Sequence, residues 1–343
     1  MGKSLAIKYR PKTWDDVTEQ QSIKLILSQQ IESNDIKGAY CFVGAAGTGK
    51  TTCARIFANE INHGEGVPIE MDAASHNGVD DVREISKMAQ TKALDAEYKV
   101  FILDEAHMFS AGAWAAMLKL IEEPPAKCVF ILCTTDYWKI PKTIQSRCQR
   151  FQFHRISTEG IVSRLHHILY LDDVYDDSNE LNATMPALEY IARLSDGCMR
   201  EAIVTLEKCL AYSDDLSIEN VTAALGLSNH DTFMCLTNCI YDKERHDIIE
   251  ILEKEYETGT DMKQFVRDYL HFILDVNKLS LDDSLFSYTQ LPRTDDMKDW
   301  LKSDTVRDID FLNSLLGSLI ELNSVIKWDS SPLYTVEAKL MML

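Results

Sequence analysis

The chain has 343 residues, 45% of them hydrophobic and 26% charged, a length that suits two or three domains better than one core. Its net charge of −19 is uneven: residues 1–150 carry 18 Lys/Arg against 19 Asp/Glu, and the remainder 17 against 35. An acidic second part repels phosphate at long range, so nucleic-acid contact is expected only from a local basic surface or from partner subunits.

The amino terminus, MGKSLAIKYRPKTW, has neither the apolar core nor the small-residue cleavage site of a signal peptide. No apolar run approaches the ~18 to 20 residues of a membrane span, and a cytosolic chain with no membrane partner is expected. The first strand, AYCFVG at 39–44, leads through a glycine-rich turn into the helical pattern TTCARIFANEI. A second apolar strand, VFILDE at 100–105, precedes the helical AWAAMLKLIEE, which Pro124 and Pro125 stop. A third, CVFILCTT, runs over 128–135. Short continuous apolar strands alternating with helices predict an α/β domain with a mostly parallel sheet covered on both faces.

Beyond Phe153 only helical patterns remain, IVSRLHHILYL and MPALEYIARL among them, up to about Leu227; the DDVYDD run at 172–177 reads as a solvated loop. From Asn229 the segments CLTNCIYD, HDIIEILEKEYE, MKQFVRDYLHFILDV and IDFLNSLLGSLIELNSVI again have helical spacing, broken by a polar stretch near 280–297. The expected domains are 1–156, 157–227 and 228–343, the last two all helical. Of nine cysteines none forms a CxxC pair; Cys235 and Cys239, one helical turn apart, read as buried reduced thiols rather than metal ligands.

The strongest chemical signal is GAAGTGKT, Gly44 to Thr51, which fits G-x-x-x-x-G-K-[ST] between a strand and a helix. Backbone N–H groups of such a loop curl around phosphates at a helix amino terminus. The nucleotide-holding stretch is Gly44, Ala45, Ala46, Gly47, Thr48, Gly49, Lys50, Thr51 and Thr52, with Lys50 reaching the β- and γ-phosphates and the Thr51 hydroxyl on Mg²⁺. Asp104 ends the second strand, directed at the same Mg²⁺, and Glu105 beside it suits activation of water. Thr134 and Thr135 end the third strand, where a hydroxyl can sense the γ-phosphate, hold the attacking water, or merely cap the strand. Arg147, in SRC, has no acidic partner near it in sequence and reads as a surface arginine. Arg200 opens a helix after Gly197, where the dipole does not favour a cation, which hints at an anionic ligand.

The blocks IKYRPKTWDDVTEQ, GAAGTGKTTCARIFANEIN, MDAASHNGVDDVREI, VFILDEAHMFSAGAWAAMLKLIEEPP, ILCTTD, SRCQRFQF and DGCMREA stand in the order seen in the bacterial DNA polymerase III gamma/tau subunit family. KWDSSPLYTVEAKLMML resembles the closing helix of that family's collar domain, so the resemblance covers essentially the whole chain. It implies an AAA+ P-loop domain, a small helical lid and an all-helical collar that joins other clamp-loader subunits in a pentameric ring. ATP with Mg²⁺ would draw subunits together and fix a state that opens the sliding clamp and grips primer–template DNA; hydrolysis would release the loaded clamp. By the same resemblance Lys50 and Thr51 are Walker A, Asp104 and Glu105 Walker B, Thr135 sensor one and Arg200 sensor two. Arg147 is the arginine finger presented to ATP in the neighbouring subunit, which would make hydrolysis depend on assembly. Tyr9, Arg10 and Pro11 would lie near the adenine.

Two departures from the family pattern stand out. Between the loop helix and DAAS the family usually inserts a four-cysteine zinc module, whereas ANEINHGEGVPIEMDAAS has no cysteine, and no zinc site is expected. Nothing follows the collar, where tau forms carry helicase- and polymerase-binding domains, so a short form is expected, compatible with a bacterial or a phage source and thus a bacterial or host cytosol. The alternative reading is an ATP-dependent DNA remodelling motor of branch-migration or helicase type; SRC and the collar favour the loader. A degenerate, purely structural subunit conflicts with the intact Lys50, Thr51, Asp104 and Glu105 set. Eukaryotic and archaeal loader small subunits share SRC but not the DAASHNGVDDVREI pattern. Lys99, Lys139 and Lys142 are candidate DNA contacts that read more simply as solvated lysines.

Overall fold

Alternate side chains of three apolar strands pack on opposite sides of one sheet, as strand geometry requires. In the computed structural model, which describes residues 4–91, 93, 95–171, 181–225, 230–292 and 294–343, the strands are β1 (Ala39–Val43), β2 (Ile69–Asp72), β3 (Lys99–Asp104), β4 (Cys128–Thr134) and β5 (Gln149–Gln152). Their order is β2-β3-β4-β1-β5, and every neighbouring pair is parallel. The edge strands β2 and β5 were not among the three expected from apolar runs. The acidic run 172–177 and the expected boundary at 227–228 lie outside the described residues.

On one face of the sheet Cys41, Phe101, Leu103, Phe130 and Leu132 meet the buried stripes of α4 (Val79–Ala89) and α5 (Ala111–Glu122). On the other, Tyr40, Phe42, Ile102, Ile131 and Cys133 meet α2 (Gln21–Glu32) and α3 (Lys50–Glu60). Both faces being covered explains why β1 and β4 are buried along their whole length. Short helices α1 (Leu5–Lys8) and α6 (Lys142–Gln145) and the longer α7 (Thr158–Leu171) complete this part. Residues 61–68 connect α3 to β2 directly.

The chain groups into two compact units, Met1–Asp176 with Ser195–Glu207, and Asp177–Leu194 with Lys208–Leu343. The first contains the sheet and the start of α9 (Met199–Tyr212). The second is helical: α8 (Leu181–Leu194), α10 (Ile218–Leu225), α11 (His230–Asp242), α12 (Arg245–Glu257), α13 (Met262–Leu281), α14 (Asp295–Trp300), α15 (Asp304–Arg307), α16 (Ile309–Val325) and α17 (Pro332–Leu340). Its core is built on α13, whose Phe265, Tyr269, Phe272, Ile273 and Val276 recur at helical spacing, against Leu312, Leu315, Leu319 and Leu322 of α16.

Ile309–Trp328 is long and apolar enough, by length and composition, to cross a membrane, which corrects the expectation that no such run exists. Its leucine stripe lies in the core of the second unit, the use a long apolar helix finds in a packed helical domain. The cysteines also depart from expectation: Cys239 is buried but Cys235, one turn earlier on α11, is exposed.

Candidate functional site

At the end of β1 the chain enters a loop that only glycine can complete. A Cβ on Gly44 would stand 2.6 Å from the Phe153 carbonyl oxygen. Gly47 and Gly49 have φ of +67° and +100°, and a Cβ on Gly47 would collide with the Cys198 sulfur just before α9. The loop delivers its N–H groups to the start of the 11-residue α3, where the helix dipole favours an anion. Thr48 Oγ1 donates to the Ala45 carbonyl at 2.9 Å, bracing the curl.

Lys50 is 6% exposed, and its Nζ donates to the carbonyls of Gly44 (2.9 Å) and Ala45 (2.8 Å). Burial lowers its pKa from the ordinary lysine value, opposed by the nearby Cys133, Glu105 and Asp104. Thr51 Oγ1 donates to Asp104 Oδ2 at 2.7 Å, across the end of β4. A hydroxyl and a carboxylate side by side are hard oxygen donors of the kind Mg²⁺ takes together with substrate phosphates.

A cleft of about 200 Å³ gathers Tyr9, Arg10 and Pro11, the loop from Ala46 through Thr52, Asp104, Glu105 and Arg200. Arg10 Nε donates to Thr52 Oγ1 at 3.3 Å, and its pKa is lowered by burial and then by the positive charges of Arg55 and Arg200. Cations crowded into one cleft repel each other, and a polyanion in their midst would relieve that repulsion. The donor set, the glycine cradle and the Thr51–Asp104 pair therefore fit a magnesium–nucleoside triphosphate.

The cleft also contains residues that sequence reasoning missed. Arg164 of α7 donates from Nη2 to the Tyr9 carbonyl at 2.8 Å, and burial lowers its pKa, against the pull of Asp16. Ile156, Met199 and Ile203 add an apolar wall suited to a flat base. The only sequence signal for Arg164 was a cation inside the otherwise apolar pattern IVSRLHHILYL.

Glu105 follows β3 with φ of 44°, a left-handed conformation that costs a non-glycine residue about 1 to 2 kcal/mol. Its Oε2 accepts from Thr135 Oγ1 at 3.1 Å and lies 3.3 Å from His107 Nδ1. Thr134 and Thr135 differ in their contacts: Thr134 is fully buried, its hydroxyl accepting from the Asp136 N–H at 3.0 Å, whereas Thr135 reaches Glu105.

Arg147 lies elsewhere, in a surface groove with Lys37, Gly38 and Pro124, which precede β1 and β4, and with Ala39, the first residue of β1. Since the strands are parallel, it stands at the end of the sheet opposite the loop at Gly44. Its acidic partner comes from elsewhere in the chain: Glu122 at the end of α5, with Nη2 to Oε1 at 2.6 Å; Nη1 donates to the Thr143 carbonyl at 2.7 Å. Folding joins residues 25 positions apart, which local sequence could not show. Of the candidate DNA contacts, Lys99 is committed to the carbonyls of Met88 and Thr91, and Lys139 pairs with Asp136 at 3.3 Å.

A sequence profile for the family described as DNA polymerase III, delta subunit matches residues 60–157. Among curated proteins, the DNA polymerase III subunit tau of Bacillus subtilis is 36% identical over 78% of this chain and 50% of its own length. The DNA polymerase III subunit gamma of Buchnera aphidicola subsp. Schizaphis graminum is 31% identical over 78% of each chain. This chain spans about half the length of several such relatives, among them the tau subunits of Bacillus subtilis and of Salmonella typhimurium, of which it covers 50% and 44%. Among solved structures, the Thermotoga maritima RuvB Holliday junction branch migration motor superposes with a TM-score of 0.53 at 18% identity, covering 74% of this chain and 86% of that one, a likeness of fold.

Proposed function

The chain belongs to the bacterial DNA polymerase III gamma/tau family, and from that premise we propose that it is the ATP-hydrolysing subunit of a sliding-clamp loader, opening a ring-shaped clamp and placing it on primer–template DNA. The observation that carries the reading is the meeting of Lys50, Thr51, Asp104, Glu105 and Arg200 around one cleft from three separate stretches of chain. The likeness to a branch-migration motor extends to the AAA+ fold and supports no second activity.

In this reading the loop N–H groups from Gly44 to Thr52 and the Lys50 ammonium hold the phosphates, and Arg200 contacts the terminal one. The base lies between Tyr9, Arg10 and Pro11 on one side and the wall of Ile156, Met199 and Ile203 on the other. Thr51 and Asp104 would hold Mg²⁺, which supplies charge neutralisation between the phosphates. Glu105 takes the proton of the attacking water, with Thr135 on its carboxylate. Arg147, far from its own cleft, acts on nucleotide in a neighbouring subunit of a ring of homologous subunits. The proposed domains are 1–156, 157–227 and 228–343, with the helical third as the oligomerising collar, and the site of action is the bacterial or host cytosol.

Steady-state ATPase activity of the chain with partner subunits tests the reading. Strong stimulation that needs both a sliding clamp and a primer–template junction is expected. Equal stimulation by any branched or duplex DNA without clamp would overturn the loader assignment in favour of a remodelling motor.

A further inference from the structure

We propose that His107 is a positioning residue for Glu105, fixing one carboxylate oxygen so that the other is presented to the attacking water; the inference rests on the reading of this cleft as an ATPase site. His107 lies in the turn after β3, two residues beyond Glu105, and is only 12% exposed. Its Nδ1 stands 3.3 Å from Glu105 Oε2 and 3.2 Å from Thr134 Oγ1.

The proton on that nitrogen follows from its neighbours. A bare Nδ1 accepting from the Thr134 hydroxyl would turn a lone pair toward a carboxylate oxygen 3.3 Å away, which is repulsive. A protonated Nδ1 can donate to Glu105 Oε2 and to Thr134 Oγ1 at once, as a three-centre bond. Thr134 is itself fixed, buried at the end of β4 and accepting from the Asp136 N–H, so the ring is braced by the sheet rather than by solvent.

Both bonds to Glu105, from His107 and from Thr135, fall on Oε2. Among the described residues Oε1 has no hydrogen-bond partner. A carboxylate held at one oxygen by two donors has lost its freedom to rotate, and the oxygen left over is the one able to take a proton from water. His107 thus acts through Glu105 and touches no reacting atom.

The test compares His107→Ala, which deletes the donor, with His107→Asn, whose side-chain N–H₂ occupies the place of Nδ1–H. Nucleotide affinity and single-turnover ATP hydrolysis are measured on the full chain assembled with its partner subunits. His107→Ala is expected to lower the hydrolysis rate about tenfold, the worth of one hydrogen bond to a charged group, with the ATP dissociation constant within about twofold of wild type. His107→Asn should recover most of the rate. Unchanged hydrolysis in His107→Ala overturns the proposal, as does an Asn variant no better than Ala, which would assign the effect to packing of the ring. Should His107→Ala fail to fold, His107→Leu, apolar and of similar bulk, replaces it with the same two outcomes. Glu105→Gln separates the two levels. If it hydrolyses ATP normally, the reading of the cleft itself fails; if it is inactive while the His107 variants are not, only the positioning role fails.

Discussion

Lys50 is a buried ammonium that rests on two carbonyls of its own loop, a modest return for the loss of water around a charge. The proposed function gives that cost a purpose, an anion held by the ammonium. Lys50→Ala should therefore abolish tight ATP binding, measured with a fluorescent nucleotide; retained tight binding would refute the role. Glu105→Gln should do the reverse, keeping ATP affinity and losing about 10² to 10⁴ in hydrolysis, the range of a general base. Lys50, Thr51, Asp104 and Glu105 could be read from the sequence because their spacing along strand, loop and helix is itself the constraint. Arg164 and His107 could not be ranked, since each acts through a contact made only on folding, to the Tyr9 carbonyl and to Glu105 and Thr134. The same holds for Glu122, invisible as the partner of Arg147 until α5 and the SRC turn are brought together.

Among the elements, the strands that announced themselves are those buried on both faces, β1, β3 and β4, which read as unbroken apolar runs. The edge strands IEMD and QRFQ are half solvated and short, so their alternation gave no signal above that of a loop. α3 is legible twice over, as the helix that must follow the loop and as an apolar stripe. Its Phe57 is fully buried, edge-on to Tyr40 at a centroid distance of 5.1 Å, and Phe57→Ala should cost about 3 to 5 kcal/mol in chemical denaturation. A loss under 1 kcal/mol would mean the packing is not as described. In the second unit, His230 opens α11 against Tyr190 and Phe272, and burial pushes its pKa from 6.5 down to about 4. The stability this neutral ring contributes is present above pH 6.5 and lost as the pH falls toward 4, because the unfolded chain binds the proton first. Its full extent is on the order of 3 kcal/mol. Comparing wild type with His230→Leu, the variant should lose less stability between pH 7 and pH 5; parallel losses would contradict the assignment.

Across the molecule, the decisive relation is between the two ends of a parallel sheet. The five residues of β1 separate the glycine loop at Gly44 from the groove that holds Arg147, roughly 15 Å at strand spacing. The distance is intelligible from the sheet alone, yet no local sequence feature of SRC expresses it; the pattern only became meaningful through the family resemblance. In the proposed reading an arginine so placed, held by an ion pair with both partners 39% exposed and hence worth little, exchanges its carboxylate for a phosphate on another subunit. That division of one hydrolytic site between two copies is the central claim. The measurement that tests it most directly is the ATPase rate of assemblies formed by mixing Arg147→Ala chain, whose own cleft is intact, with Glu105→Gln chain, whose arginine is intact. The account predicts that each variant alone is nearly inactive and that the mixture regains activity, at Arg147→Ala clefts faced by the arginine of a Glu105→Gln neighbour. A mixture no more active than the two variants apart would contradict it.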